Sequence, residues 1–435
     1  MEDDAFTRRD FLLGTASAAA AAGLAACGKE DAVGTNTTQP KPVATVGPGI
    51  DPSQAPFDTV VVLMMENRGF DHLLGWLPGA NGQQTGLSFK DKTGAEHPTW
   101  PLAPDWQGCT MQDPFHLWEA VATQWNKGAM DGFLLTQPEN DLFPIGYYTD
   151  KDLPILAALA QNYTCFDNYF CSMLGPTWPN RFYQWAATTD LNYTGFFPTA
   201  DQPRPSKLET TIFDRVRAAG LTGAYYSFGE PMTGLFASKK YDDMSFPFAQ
   251  FETDAKAGKL ANVVFVDPDY TAASEFNGTS NDMHAYGSVQ VGDAFIGQVH
   301  DILAASPQWG RMVFVLNYDE HGGFFDTVTP PRCQDDTVIP GGGPQPDLTS
   351  LGVRVPCIAM GPFAPQKIDA SGPYEHCSVL KMIEWRWGLA PMTKRDATAN
   401  NLANALDFTL KRAPMKLPTY TVDPATVCVN PNHLP

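Results

Sequence analysis

The side chains best suited to bind a cation are two pairs of oxygen donors, Glu66-Asn67 and Asp319-Glu320. Each pair follows an apolar run, residues 59–65 or 312–316, and each run is typical of a strand that is buried on both faces. Because ligands bind at the carboxyl ends of strands in an open α/β sheet, we expect the two pairs to lie side by side. Such oxygen donors favour Ca²⁺, Mg²⁺ or Mn²⁺ over Zn²⁺. The competing interpretation is two acidic surface loops.

A rigid turn around Thr177 carries the candidate nucleophile. The segment reads GPTWPNR, and its glycine and two prolines are expected to prevent a regular helix before Arg181. A helix that follows such a turn would direct the positive end of its dipole toward a phosphate group near Thr177. An alcohol is a weak nucleophile and needs a base or a metal ion to activate it. The alternative is a turn threonine that bonds its own backbone.

Seven segments of the chain, taken together, resemble the phosphoesterase family of bacterial phospholipases C and related acid phosphatases. The resemblance covers residues 57–390. In chain order the segments are MMENRGFDH (64–72), DPFHLWEAVATQWNKGAMDGF (113–133), GYYTDKDLPILAALA (146–160), GPTWPNRFY (175–183), NDMHA (281–285), YDEHGGFFDTV (318–328) and YEHCSVLKMIEWRWGL (374–389). The resemblance implies an alkaline-phosphatase-like α/β sandwich, with a mainly parallel sheet and helices on both faces.

The same resemblance implies roles for individual residues. One divalent cation, held by Glu66, Asn67, Asp319 and Glu320, would bind the Thr177 oxygen. Three histidines match positions at which the family contacts phosphate, namely His116, His284 and His376. One of them would protonate the leaving alkoxide, although each taken alone is also compatible with a purely structural role. Gly69 stands where the family usually has serine, which we expect to loosen the first loop.

The implied function is a metal-dependent phospholipase C that releases diacylglycerol and a phosphorylated head group through a phosphothreonine intermediate. Threonine at position 177 favours this reaction, since the related acid phosphatases resemble the chain but use serine there. An acid phosphatase that acts on phosphomonoesters is the nearest alternative. A non-catalytic ligand-binding lipoprotein is a third interpretation, but such a protein should have lost part of this residue set.

Charge limits the partners of the protein. The chain has 435 residues and a formal net charge of -19. That charge argues against a nucleic-acid partner, because phosphate backbones are bound by basic surfaces. It also argues against electrostatic adsorption to anionic lipid, while a neutral or zwitterionic phospholipid remains a suitable substrate.

The N-terminus is predicted to be a targeting signal. Residues 1–27 contain Arg8-Arg9, a twin-arginine pattern, and end in Leu24-Ala25-Ala26-Cys27, which resembles a lipobox. These features predict export by the twin-arginine translocase and a lipid anchor on Cys27, on the periplasmic side of the cell envelope. An ordinary signal peptide with a chance cysteine is the alternative. Residues 28–56 are predicted to form a flexible tether, and residues 57–435 the catalytic domain.

Strands and helices are predicted to alternate along the catalytic domain, as in a mainly parallel sheet. The predicted strands end near Met65, Phe228, Val266, Leu316 and Met360. The predicted helices are Leu117–Lys127, Leu153–Gln161, Thr211–Ala219, Val289–Ala304 and Val379–Trp387. Residues 229–256 and 322–350 are predicted to be long irregular loops.

Several single residues carry further expectations. Asp113 with Pro114 is a typical cap and first turn for a helix that starts near residue 117. Cys165 and Cys171 are close enough in sequence to form a local disulfide, and an exported protein permits one. His300 lies on a predicted helix and is expected at the surface.

Overall fold

The structure is a computed structural model, and it describes most of the predicted catalytic domain. The described residues are 48–189, 208, 210–229, 231–236, 240–338 and 346–428. The predicted targeting signal, with Arg8, Arg9 and Cys27, therefore lies outside the described residues. Within them, none of the helices combines the length and the apolar character that a bilayer span requires.

A single large sheet forms the centre of the fold. The strands are β1 (Thr59–Met65), β2 (Ser88–Lys90), β3 (Glu96–Pro98), β4 (Trp100–Pro101), β5 (Gly146–Tyr147), β6 (Thr164–Phe166), β7 (Gly223–Ser227), β8 (Ser245–Pro247), β9 (Val263–Asp267), β10 (Met312–Tyr318), β11 (Cys357–Met360) and β12 (Lys367–Asp369). The order in the large sheet is β12-β6-β11-β10-β1-β9-β7-β8. Of these strands only β11 runs against the others. The five predicted strands are confirmed, and each ends within two residues of its predicted position.

Helices cover the sheet. They are α1 (Phe70–Leu74), α2 (Trp118–Trp125), α3 (Pro154–Asn162), α4 (Thr177–Ala186), α5 (Ile212–Ala218), α6 (Phe248–Lys256), α7 (Ala272–Asn277), α8 (Val289–Ala304), α9 (His376–Trp387) and α10 (Lys394–Thr398). One group consists of α4, α5, α9 and α10, and a second of α3, α6 and α8, which contact one another within each group. Because β1, β9 and β10 are buried at every residue, both faces of the sheet are covered. The predicted α/β architecture with a mainly parallel sheet is confirmed.

Two predictions about the chain outside the sheet are wrong. Residues 229–256 are not an irregular loop, because β8 and α6 lie within them, and Phe248, Phe251 and Ala255 bury one face of α6. His300 is not at the surface. Its side chain is fully buried on α8, with its ring 5.8 Å from that of Trp309. By contrast, the described residues between 322 and 350 contain no helix or strand, as predicted.

The predicted tether overlaps the described residues from position 48. Residues Pro52–Gln54 form a 3₁₀ turn, Ala55 is buried, and the guanidinium of Arg386 donates to the Pro52 carbonyl at 3.3 Å. The folded domain therefore begins before residue 57. For the remainder of residues 28–56, the tether stays a prediction.

The cysteine pairing differs from the expected one. A disulfide joins Cys109 to Cys428, whereas Cys165 and Cys171 are buried free thiols. Cys165 lies inside β6, in the interior of the sheet, so its side chain packs in the core instead of turning toward a neighbouring loop. The disulfide instead fastens the irregular C-terminal segment to the loop before Asp113.

Candidate active site

The two acidic pairs leave the same edge of the sheet, as predicted. Strands β1 and β10 are parallel neighbours, and Met65 lies opposite Tyr318 in the register. The backbone N–H of Asp319 donates to the Met65 carbonyl at 3.1 Å, so the pairing continues to the start of the acidic segments. All four predicted ligand residues are buried. Two buried strands thus deliver polar groups into the interior, where such groups require partners.

The helix that carries Thr177 starts earlier than predicted. Thr177 is the first residue of α4 and Pro176 is its N-cap, whereas we expected regular helix only from Arg181. Pro179 is accommodated because it lies in the first turn, where the backbone N–H has no partner within the helix. Thr177 therefore lies at the positive end of the helix dipole, as expected, but as part of the helix and not of a preceding turn.

Contacts around Thr177 join the predicted nucleophile to the predicted ligands. The Asn67 side-chain N–H₂ donates to the Thr177 hydroxyl oxygen at 3.0 Å and also to Glu320. Thr177 also lies close enough to Asp319 to lower the pKa of that carboxyl group. These contacts bring the predicted nucleophile and the predicted ligands together in one cluster.

A buried arginine lies at the centre of this cluster. The Arg181 Nε lies 3.1 Å from Glu66 Oε1 and 3.6 Å from Asp319 Oδ2, and its terminal nitrogen donates to Asp267 at 3.0 Å. The Tyr270 ring lies 4.3 Å from the guanidinium carbon. Arg181 thus pairs with three buried carboxylates at once. Asp267 was missed, although it ends β9 beside β1 and the rule about strand ends could have found it.

The carboxylates outnumber the guanidinium, and their pKa values reflect this. Burial raises the pKa of Asp319 to about 7; Arg181 opposes this shift and Glu320 adds to it. Burial and the Asp319 charge raise the pKa of Glu66 well above its ordinary value. Burial alone would raise the pKa of Glu320, but His116 holds this pKa below its ordinary value. A further positive charge would therefore stabilise the ionised cluster.

The donor set fits a hard cation with one adjustment. Asp319 Oδ2 and Asn67 Oδ1 are buried and have no hydrogen-bond partner, and carboxylate and amide oxygens are ligands that hard cations prefer. Asn67, however, directs its N–H₂ group toward Glu320, so it can serve as a ligand only with its amide turned over. The Arg181 guanidinium contacts one oxygen of the Glu66 carboxylate, which leaves the other oxygen available to a cation.

A second group of possible metal ligands lies next to the first. Ligand atoms of Asp113, His116 and His284 all lie within 4.8 Å of one another, so the three form a possible metal-binding site. The predicted role of Asp113 as a helix cap is wrong, since α2 starts at Trp118 with Leu117 as its N-cap. No pattern of spacing joins Asp113 to His284, because the two lie far apart in the chain.

His284 is held by carboxylates on two sides. Its Nδ1 lies 3.1 Å from Glu275 Oε2, and its Nε2 lies 3.6 Å from Asp113 Oδ2. Burial alone would lower the pKa of His284, but Glu275 and Asp113 raise it well above its ordinary value. Sequence reasoning missed Glu275, which lies on the short helix α7.

The third predicted histidine has a different environment. His376 is fully buried at the first position of α9, with Nε2 2.7 Å from the Asp319 carbonyl oxygen and Nδ1 3.1 Å from the Tyr169 hydroxyl. Burial lowers its pKa to about 3. Both ring nitrogens thus have protein partners. This placement differs from the predicted contact with phosphate, and it makes His376 a support for the Asp319 backbone.

Three tryptophans that follow Thr177 in the chain divide between the site and the core. The Trp178 ring lies 6.0 Å from the Tyr270 ring, beside Arg181. Trp385 and Trp387 instead pack around Phe57 and Phe408, at ring distances of about 6 Å. Of these three tryptophans, Trp178 is the one that lies near the cluster.

Comparison with known proteins agrees with the geometry. Residues 57–390 match the Phosphoesterase family. The chain belongs to this family. It is 31% identical over 398 residues to non-specific phospholipase C6 of Arabidopsis thaliana, and the alignment covers 84% of this chain and 75% of that protein. It is 29% identical over 411 residues to phospholipase C A of Mycobacterium tuberculosis, with 80% and 77% covered. The expectation of a phosphoric ester hydrolase is confirmed at this level.

Solved structures show a more distant likeness. A protein of the alkaline phosphatase superfamily from Vibrio parahaemolyticus aligns with 83% of this chain and 75% of its own, at 12% identity and a TM-score of 0.40. A likeness this distant says nothing about the residues of the site.

The first loop of this phosphoesterase is tightly packed, contrary to the expectation for Gly69. A Cβ atom at Gly69 would lie 2.9 Å from the Phe325 carbonyl oxygen, so a serine would require the backbone to move. Nearby, Arg68 lies with its guanidinium carbon 4.2 Å from the centre of the Phe324 ring, and Asp71 accepts from Arg354 at 2.9 Å. Arg68 and Asp71 thus brace this loop through buried contacts.

Replacing Gly322 with alanine should disrupt the ligand pair. Gly322 has a φ of +61°, and an added Cβ would overlap the Asn67 carbonyl oxygen, so Asn67 must move. We expect Gly322→Ala to lower the free energy of unfolding by about 1–3 kcal/mol more than its control does. The variant should also lose most of its turnover. The control is Gly220→Ala, since Gly220 has a φ of +72° with open space around it. Equal losses in chemical denaturation and in turnover would contradict this account of the loop.

Proposed function

We propose that this phosphoesterase is a phospholipase C that cleaves phospholipids to diacylglycerol and a phosphorylated head group. The observation that carries the proposal is the position of the Thr177 hydroxyl. It lies at the start of α4, accepts a hydrogen bond from Asn67, and lowers the pKa of the neighbouring Asp319. The similarity to proteins named phospholipase C over most of the chain supports the choice of substrate class.

In the first step, the Thr177 oxygen attacks phosphorus as its proton passes to the nearby Asp319 carboxylate, whose pKa Thr177 lowers. The bond from phosphorus to the diacylglycerol oxygen breaks on the opposite side. The positive end of the α4 dipole stabilises the negative charge of the non-bridging oxygens. A hard cation, when bound by Glu66, Asn67, Asp319 and Glu320, would lower the pKa of the hydroxyl and screen the phosphate charge.

The leaving alkoxide and the second step involve the other side of the cluster. His116 and His284 form an edge-to-face pair with ring centres 5.6 Å apart, and one of them protonates the alkoxide. Diacylglycerol then leaves, and phosphothreonine remains. Water attacks this phosphorus, which restores the Thr177 hydroxyl and releases the phosphorylated head group. Positioning and charge stabilisation account for most of the rate in such transfers.

Thr177→Ala should abolish turnover while the protein remains folded. Loss of a covalent nucleophile commonly lowers kcat by at least about a thousandfold, and no phosphorylated enzyme should be trapped by rapid acid quench. Thr188→Ala is the matched control, because Thr188 follows α4 at its other end and bonds Thr337 at 2.7 Å. If Thr177→Ala kept more than about a tenth of wild-type turnover, the nucleophile would be another group.

The preferred ester should be a diester. Threonine as nucleophile, with Trp178 at the edge of the cluster, suits a bulky apolar leaving group. We expect kcat/KM for a chromogenic phosphodiester to exceed that for the matching monoester by about tenfold to a hundredfold, the range that apolar complementarity provides. Phosphatidylcholine should be cleaved in the same assay. A clear preference for the monoester would instead support an acid phosphatase with the same nucleophile.

We further propose that the protein is exported by the twin-arginine route and anchored through acylated Cys27. The disulfide between Cys109 and Cys428 supports an oxidising compartment. Cys27→Ala should move the mature protein from the membrane fraction to the soluble fraction, since the acyl chains are removed. Replacing Arg8 and Arg9 by lysine should retain the protein in the cytoplasm. Wild-type protein with an unmodified N-terminus elsewhere would contradict the anchor but not the export.

A further inference from the structure

The three side chains Asp113, His116 and His284 are arranged as metal ligands usually are. In each imidazole, Nδ1 is fixed by an acceptor: the Pro114 carbonyl oxygen at 2.7 Å for His116, and Glu275 at 3.1 Å for His284. This arrangement fixes the tautomer that leaves Nε2 with a lone pair, and it is how histidine ligands are commonly oriented in metal sites. The Nε2 of His284 lies on the side of Asp113, at 3.6 Å.

The carboxylates around this group are incompletely paired. Asp113 Oδ1 and Asp282 Oδ2 are buried without a hydrogen-bond partner, and Asp282 itself is fully buried. In the described part of the chain, the salt bridges of Asp113 and Glu275 are with histidines alone. Buried carboxylates of this kind are usually paired with a positive charge or bind a metal.

The group is separate from the all-oxygen ligand set but adjacent to it. The Nε2 of His116 lies 3.9 Å from Glu320 Oε1, and Asn67 donates to that same oxygen. Glu320 therefore lies between the two sets. Two imidazoles and a carboxylate suit a borderline cation such as Zn²⁺, whereas carboxylate and amide oxygens suit a hard one.

We propose that Asp113, His116 and His284 bind a second divalent cation of the Zn²⁺ class, with Glu320 between it and the hard cation. Three protein ligands leave a coordination position open, as in catalytic zinc sites. Glu275 orients His284 from behind and is a positioning residue, because it touches the ligand and not the ion. This inference rests on the proposed function and changes one step of it. The second cation would stabilise the charge on the leaving oxygen, and the proton that completes the diacylglycerol hydroxyl would come from the water that then attacks the phosphothreonine.

Metal binding tests the inference without any substrate. The full chain is stripped with a chelator, Zn²⁺ is titrated in excess Mg²⁺ by calorimetry, and bound metal is counted by elemental analysis. His284→Asn should weaken Zn²⁺ binding by at least about a hundredfold, and the conservative Glu275→Gln by about tenfold to a hundredfold. His97→Asn is the control, since His97 pairs with Asp91 at 2.8 Å on the strand pair β2-β3.

A complementary variant shows whether two sites exist. Asp319→Asn should weaken Mg²⁺ binding and leave Zn²⁺ binding within about threefold of wild type, since Asp319 is not a ligand of the second ion. Loss of a single bound ion by both Asp319→Asn and His284→Asn would mean one shared site and would overturn the proposal. So would Zn²⁺ binding that neither His284→Asn nor Glu275→Gln changes. An enzyme that binds Zn²⁺ as expected but cleaves no diester would refute the proposed function alone.

Discussion

One buried guanidinium connects the sheet to the helix that carries Thr177. Arg181 extends from α4 and contacts Glu66, Asp267 and Asp319, which follow or end three neighbouring strands. Removing one partner of a buried ion pair typically costs about 3–5 kcal/mol, because the other charges lose their compensation. The position of the Thr177 hydroxyl over the strand ends therefore depends on this arginine, four residues further along the helix.

The same interaction explains why the site still requires positive charge. A single guanidinium cannot neutralise all the buried carboxylates around it. The raised pKa values of Glu66 and Asp319 reflect the negative charge that is left uncompensated. An anionic phosphate would be repelled by such a cluster. A cation bound there would remove the excess negative charge and attract the phosphate, so metal binding and substrate binding would be linked through the same charges.

The part of the site that follows from strand ends was predictable from the sequence. Glu66 and Asp319 follow continuous apolar runs, and two buried parallel strands place such residues at one edge. The partners of His284 were not predictable in this way. Asp113 lies in an irregular loop and Glu275 on a helix of six residues, and neither position has a periodicity that points inward. Likewise, His300 was expected at the surface because it lies on a predicted helix face, yet packing against Trp309 buries it.

This difference divides the site into two halves with different physical support. The half around Asp319 is built on β1, β9 and β10, where the ladder of backbone hydrogen bonds fixes each residue. The half around Asp113 and His284 is built on loops that are tied together from outside. The Gln107 side chain donates to the Tyr286 and Thr426 carbonyls, and the disulfide Cys109–Cys428 closes the same region. The half around Asp113 and His284 is thus constrained by cross-links to the C-terminal segment and not by the sheet. Local opening would therefore disturb this half first.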